Sequence, residues 1–179
     1  TQSKKLKIGY KFGLEFFYSK SGRSFLSKIS KKQIIFLDLK LNDIPNTCAS
    51  TIKAVKDLKA NYITIHISSG IEALKLSKKV SGKTKLIGVT TLTSLNNKSL
   101  NQIGYNKNLK NLVKHQAKLA TKAKLDALVC SAHEIKDVRK VFKKEIITPG
   151  IRMSGDSKND QKRTMSPKEA FQSGASAIV

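Results

Sequence analysis

Apolar positions along this chain fall into two alternating rhythms. Short runs dense in Ile, Val, Leu and Phe, at residues 8–12, 34–39, 62–66, 85–90, 127–130, 145–148 and 175–179, predict strands. Longer stretches between them carry helical spacing. Over 46–59, Ile52, Val55 and Leu58 recur at about one turn, with lysines on the other face. Pro45 and the polar pair Asn46 and Thr47 mark where that helix starts. Over 108–122, Leu109, Leu112, Val113, Gln116, Leu119 and Ala120 form a stripe that is apolar except at Gln116.

Strand and helix alternating in this way imply parallel βαβ units. The strands are nearly continuous in apolar residues, as strands covered by helices are, and none runs into an obvious hairpin turn. An open, doubly wound sheet and a closed barrel both satisfy the pattern. The absence of a Gly-rich phosphate fingerprint after the first strand weighs against the open sheet.

Composition narrows the classes further. At 179 residues the chain suits one domain with a real core. No apolar run approaches the length of a membrane span, and the polar, basic start carries no signal-peptide core. Cys48 and Cys130 stand alone, without metal-ligand spacing, which suits reduced thiols and a cytoplasmic location. The net charge of +23 suggests a nucleic-acid binder at first. All but four of the 35 basic residues are lysines, however, and they are spread through every segment. Sequence-reading modules lean on arginine's planar fork. The lysines read as solvated helix faces, so neither a nucleic-acid nor a membrane partner is expected.

The informative stretch is Phe36-Leu37-Asp38-Leu39-Lys40-Leu41-Asn42-Asp43-Ile44-Pro45-Asn46-Thr47. It opens as a buried strand yet carries Asp38 and Lys40 two residues apart, which strand periodicity points to one face. Charges inside a barrel must compensate one another or serve a ligand. Both lie at the C-terminal end of the strand, where barrel active sites are built. Asp43 follows in the loop, free to bend back or to reach a neighbouring subunit.

This block resembles, almost residue for residue, the signature of the orotidine 5′-monophosphate decarboxylase family. Further segments resemble that family in the right order. They are Lys11-Phe12-Gly13-Leu14-Glu15-Phe16-Phe17, Ile65-His66-Ile67-Ser68-Ser69-Gly70, Val89-Thr90-Thr91-Leu92-Thr93-Ser94, Val129-Cys130-Ser131, Ile147-Thr148-Pro149-Gly150-Ile151-Arg152, Asp160-Gln161 with Arg163, and Ser166-Pro167-Lys168-Glu169-Ala170. The resemblance implies a (β/α)8 TIM barrel, here incomplete, with about seven strands and the first one missing. It implies decarboxylation of orotidine 5′-monophosphate to UMP, the last step of de novo pyrimidine nucleotide synthesis, without metal or cofactor.

It also implies the site. Lys40 would donate the proton, Asp38 would lie near the departing carboxylate, and Lys11 would hold Asp38 ionised and touch the ribose. Asp43 would come from the partner of a homodimer and complete a Lys-Asp-Lys-Asp chain, with Ile44 and Thr47 beside it as substrate contacts. Thr93 would meet the pyrimidine, while Arg152 and Gln161 would grip the phosphate. Residues 153–160, polar and Gly-containing, suit a lid. Asn42 stands where many relatives carry His and is expected to face away from the pair. His66 is expected to be structural.

The family's opening strand, with an Ala-Leu-Asp segment, would precede Thr1, and its Gly-Arg would follow Val179. Residues 1–179 are therefore expected to form a single barrel domain truncated at both ends. Two alternatives remain: a metal-dependent sugar-phosphate decarboxylase or aldolase of the same superfamily, and a basic nucleic-acid-binding module.

Overall fold

A computed structural model describes residues 8–29, 32–152 and 165–179. Its elements alternate as the hydrophobic rhythm predicts. In order they are β1 (Gly9–Gly13), α1 (Leu14–Tyr18), α2 (Gly22–Lys28), β2 (Ile34–Leu41), α3 (Pro45–Ala54), β3 (Tyr62–His66), α4 (Gly70–Val80), β4 (Lys85–Val89), α5 (Asn97–Gln102), α6 (Leu109–Lys122), β5 (Ala127–Val129), α7 (Ile135–Arg139), β6 (Glu145–Thr148), α8 (Pro167–Gln172) and β7 (Ala177–Ile178). The strands form one seven-stranded sheet in sequential order, parallel at every pairing. Right-handed βαβ crossovers build such an order, and it is the order of a TIM barrel wall. No helix among the described residues is long and apolar enough to cross a membrane.

Strand alternation sorts the side chains into two apolar layers. The outward residues Ile35, Leu37, Ile63, Ile65, Leu86, Leu128 and Ile146 join Leu26, Ile52, Leu74, Val113, Ala117, Ile135 and Val138 from the helices in one buried cluster. Each fully buried Leu or Ile there contributes about 1.5–3 kcal/mol. The inward residues Phe36, Ile87, Ala127 and Ile147, with Tyr62 and Val129 against them, form a separate, smaller cluster. Gly88 faces the outer layer. A methyl group there would come within 2.4 Å of Ile67 Cδ1 and 2.8 Å of Leu125 Cδ1, so only glycine lets the covering segments approach so closely.

Local chemistry explains the boundaries. The Asn108 side chain caps α6 by accepting from the Asn111 N–H at 2.9 Å. Gln116, the polar position in the α6 stripe, is buried and accepts from the N–H and hydroxyl of Thr91 at 2.8 and 3.1 Å. Ser166 and Glu169 form a capping box at α8, with Pro167 in the first turn. The helix expected over 46–59 ends earlier. Its α-helical part stops at Ala54, a 3-10 turn covers Lys56–Leu58, and Lys59 takes a left-handed conformation at φ 50°. Ile52, Val55 and Leu58 are buried all the same.

At the N-terminal end of the barrel, Lys85 and Glu145 form an ion pair across the interior. Tyr62 donates its hydroxyl hydrogen to Glu145 Oε2 at 3.3 Å, and Lys85 Nζ lies 5.4 Å from the Tyr62 ring centre. At the other end, a cavity of about 430 Å³ opens among Lys11 of β1, Asp38 of β2, Val89 of β4, Val129 of β5, Ile147 of β6 and Val179 beyond β7. Residues from the first and last strands can share one cavity only because the sheet wraps around it.

Candidate active site

The cavity sits where the strands end, and its polar lining comes from strand ends and the loops that follow. Phe36, Val89, Val129 and Ile147 supply an apolar wall. Above them stand Lys11, Asp38, Lys40, Thr93 and Arg152. Three cations against one carboxylate among these lining residues favour an anionic ligand.

Asp38 organises the centre. Its Oδ2 accepts from Lys40 Nζ at 2.7 Å and from Lys11 Nζ at 3.0 Å. Its Oδ1 accepts from the Thr64 hydroxyl at 3.2 Å. Burial pushes the Asp38 carboxyl up, but the Lys40 and Lys11 ammoniums more than offset this and hold it below its ordinary value. Asp38 is therefore a carboxylate at neutral pH although it is 7% exposed. Each lysine side chain is about one third exposed on the cavity side.

Lys40 reaches this position through an irregular strand. β2 and β3 keep regular register through Leu37 opposite Ile63, and then Leu41 stands opposite Ile65. Four steps along β2 thus match two along β3, and Lys40 sits in the irregularity at φ 47°. A left-handed conformation in a lysine costs about 1–2 kcal/mol and tends to collect at functional sites. Here the Lys40 N–H donates to Thr64 Oγ1 at 2.7 Å.

The structure thus brings together Lys11, Asp38, Lys40, Thr93 and Arg152 of the expected site. Arg152 donates from Nη1 to the Ile151 carbonyl at 2.8 Å, and its N–H bonds to the Met165 carbonyl at 3.1 Å. Within one chain, Asp43, Ile44 and Thr47 do not line the cavity. All three are exposed at the start of α3, Ile44 at 67%, and Asp43 Oδ1 accepts from the Ile44 N–H at 2.7 Å. Gln161, Arg163 and the lid expected at 153–160 lie outside the described residues.

Asn42 turns to the loop after β3, accepting from the Ser69 and Ser68 hydroxyls at 3.1 and 3.4 Å. Strict alternation from Asp38 would have put it on the side of the pair, and the register shift before Leu41 removes that constraint. His66 is half-buried near the array. Burial and then the Lys40 charge push it below its ordinary value, against a smaller pull from Asp38. It is a neutral imidazole at pH 7. Among the described residues, no group of three or more His, Cys, Asp and Glu side chains is placed to hold a metal ion.

Sequence reading missed Thr64, which the array uses twice. The signal was available: a lone hydroxyl between Ile63 and Ile65 in a buried strand, on the face that alternation turns inward. The apolar wall from β2, β4, β5 and β6 was missed as well, because one-dimensional patterning cannot say which apolar residues face a cavity.

Comparison with known proteins places this geometry. The profile of the Orotidine 5'-phosphate decarboxylase / HUMPS family matches residues 3–179. Orotidine 5'-phosphate decarboxylase of Wolbachia pipientis subsp. Culex pipiens is 49% identical over 97% of this chain and 78% of the relative. That of Ehrlichia chaffeensis is 43% identical over 94% of this chain and 75% of the relative. The crystal structure of Orotidine 5'-phosphate decarboxylase from Lactobacillus acidophilus superposes with a TM-score of 0.82 at 32% identity, covering 94% of this chain and 75% of that one. With the profile spanning nearly its whole length and the barrel wall matching in three dimensions, this chain belongs to the orotidine 5'-phosphate decarboxylase family.

Proposed function

We infer that this chain converts orotidine 5′-monophosphate to UMP and carbon dioxide, as a carboxy-lyase of pyrimidine nucleotide biosynthesis in the cytoplasm. The observation that carries the reading is the Lys11–Asp38–Lys40 array at the C-terminal rim of a parallel barrel wall. The reaction breaks the bond from C6 to the carboxylate, leaves the electron pair on C6 and replaces the lost group with a proton. A carbanion with little delocalisation is the hard point, and prearranged positive charge beside it lowers that barrier.

In this reading the Lys40 ammonium faces C6, stabilises the developing anion and then gives it a proton; solvent returns the proton to Lys40 afterwards. Asp38 fixes both lysines and lies near the departing carboxylate. Lys11 keeps Asp38 ionised and contacts the ribose. Thr93 meets the pyrimidine, and Arg152 with Gln161 holds the phosphate through charge-assisted bonds. Asp43, Ile44 and Thr47 act on the partner's site in a homodimer. Their exposure at the start of α3 supports that role, since among the described residues none of the three lines the cavity of its own chain.

Absorbance loss of orotidine 5′-monophosphate tests the reaction directly. Lys40→Ala should reduce turnover by about 10²–10⁴-fold, the range for losing a positioned proton donor. UMP should still bind that variant in calorimetry. Turnover near the parent rate in Lys40→Ala would overturn the assignment.

A further inference from the structure

Thr64 stands in the middle of β3, fully buried, between two isoleucines that pack outward. A threonine hydroxyl has one hydrogen to give and lone pairs to receive. Both capacities are used at the array. Oγ1 receives the Lys40 N–H at 2.7 Å and gives its hydrogen to Asp38 Oδ1 at 3.2 Å. We propose that Thr64 is a positioning residue for decarboxylation, whose single hydroxyl sets the carboxylate plane of Asp38 and the backbone turn that aims Lys40. This rests on the roles given above to Asp38 and Lys40.

Two independent features meet at that hydroxyl. First, β2 departs from regular register between Leu37 and Leu41, and Lys40 adopts φ 47°. A buried N–H in such a place needs an acceptor, and an irregular backbone without one relaxes toward ordinary strand geometry. Thr64 supplies the acceptor from the neighbouring strand. Second, Asp38 offers both lysines the same oxygen, Oδ2, while Thr64 occupies Oδ1. A carboxylate anchored at one oxygen cannot rotate to share itself between the lysines in another way. The bonds run in one direction, from N–H to hydroxyl to carboxylate, so each polarises the next.

Among the described residues, the charged or titratable groups around Asp38 are Lys11 from β1, Lys40 from β2 and His66 from β3. Thr64 is neutral. It orients the carboxylate without altering the balance of charge that the lysines set.

The test compares Thr64→Val, Thr64→Ser and Lys40→Ala in the whole protein. Valine keeps the shape and removes both hydrogen bonds. It should lower kcat about tenfold to a hundredfold, the scale for a displaced reacting group. KM should change by less than about threefold, as when an interaction acts in the transition state alone. The acid limb of kcat/KM should move to higher pH, because Asp38 has lost a donor to its ionised form. Serine restores the hydroxyl and should recover most of kcat and the parent pH profile. Parent-like kcat and pH profile in Thr64→Val would overturn the proposal, as would Thr64→Ser performing as poorly as Thr64→Val, which would assign the effect to the methyl group's packing. Should the valine variant not fold, Thr64→Cys, similar in volume with only a weak donor, takes its place: lowered kcat with a shifted acid limb supports the proposal, and parent-like values overturn it. Lys40→Ala separates the two levels. Parent-like turnover there sinks the whole site reading, whereas an inactive Lys40→Ala beside a parent-like Thr64→Val sinks the role of Thr64 alone.

Discussion

Replacing Lys11 by methionine keeps most of the side chain's reach and removes its charge, which isolates what that charge does to Asp38. In the parent protein two ammoniums act on one buried oxygen, at 2.7 and 3.0 Å. At an effective dielectric of about 20, a unit charge 3 Å away is worth about 5–6 kcal/mol. Water screens that figure, because the Lys11 side chain is 35% exposed. The net contribution of a hydrogen bond to a charged group, about 1.5–3 kcal/mol, is the better measure, and its loss moves Asp38 upward.

The sign follows from linkage. A carboxylate whose pKa is lowered on folding stabilises the protein above its unfolded value near 3.8, and that stabilisation disappears as pH falls through the folded value. In Lys11→Met, burial is opposed by one ammonium instead of two, and Asp38 titrates higher. The stability gap between parent and variant should be full at neutral pH, and it should close only as pH falls below the ordinary carboxylate value near 3.8, through the lowered value of the parent. Urea unfolding at a series of pH values measures this without needing activity. The acid limb of kcat/KM should also move to higher pH relative to the parent, while titration of the substrate phosphate cancels in the comparison. A gap that stays constant from pH 8 to about pH 3, together with an unmoved acid limb, would refute the claim that Lys11 holds Asp38 ionised.

Mixing Lys40→Ala with Asp43→Ala subunits should restore about a quarter of parent activity if each site borrows Asp43 across a two-fold interface, as half the dimers then carry one intact site. Activity no higher than that of the separate variants would show that each subunit builds its site alone. Arg152→Ala should weaken UMP binding about tenfold or more through the loss of a charge-assisted contact, measured by calorimetry. Unchanged affinity would remove Arg152 from the phosphate. Gly88→Ala should cost about 1–3 kcal/mol in urea unfolding by overpacking. Its new methyl group would meet Ile67 and Leu125, both too deeply buried to swing out. Unchanged stability would mean that the helical layer can yield there.

Strands were the most legible part of the sequence, because burial on both faces leaves runs that few other elements imitate. β3 and β6 match their predicted limits, and β7 is shorter, at Ala177–Ile178 within the expected 175–179. Helix endings were harder. Ile52, Val55 and Leu58 keep a helical rhythm, but the chain tightens into a 3-10 turn before Lys59, and periodicity alone does not register that change. At the site, Asp38 and Lys40 were legible because charges in a buried strand demand a reason. Thr64 left a weaker signal, a lone hydroxyl on the inward face, because a threonine in a strand needs no special reason. The register shift that turns Lys40 is a property of two strands together, so it has no signature in either one alone.

The pairing of Lys85 with Glu145, under the Tyr62 hydroxyl, has a mechanical side. Lys85 belongs to β4 and Glu145 to β6, with β5 between them. In a flat sheet such strands run about 9–10 Å apart. The two side chains close that span on the concave face, past Ala127, whose small side chain leaves them room. They tie β4 to β6 across the concave face, and they do so at the floor, a barrel's height away from the candidate site at the rim. Loops at the rim can therefore be exchanged without loosening the frame, and a new substrate can be sought there while the floor holds the shape.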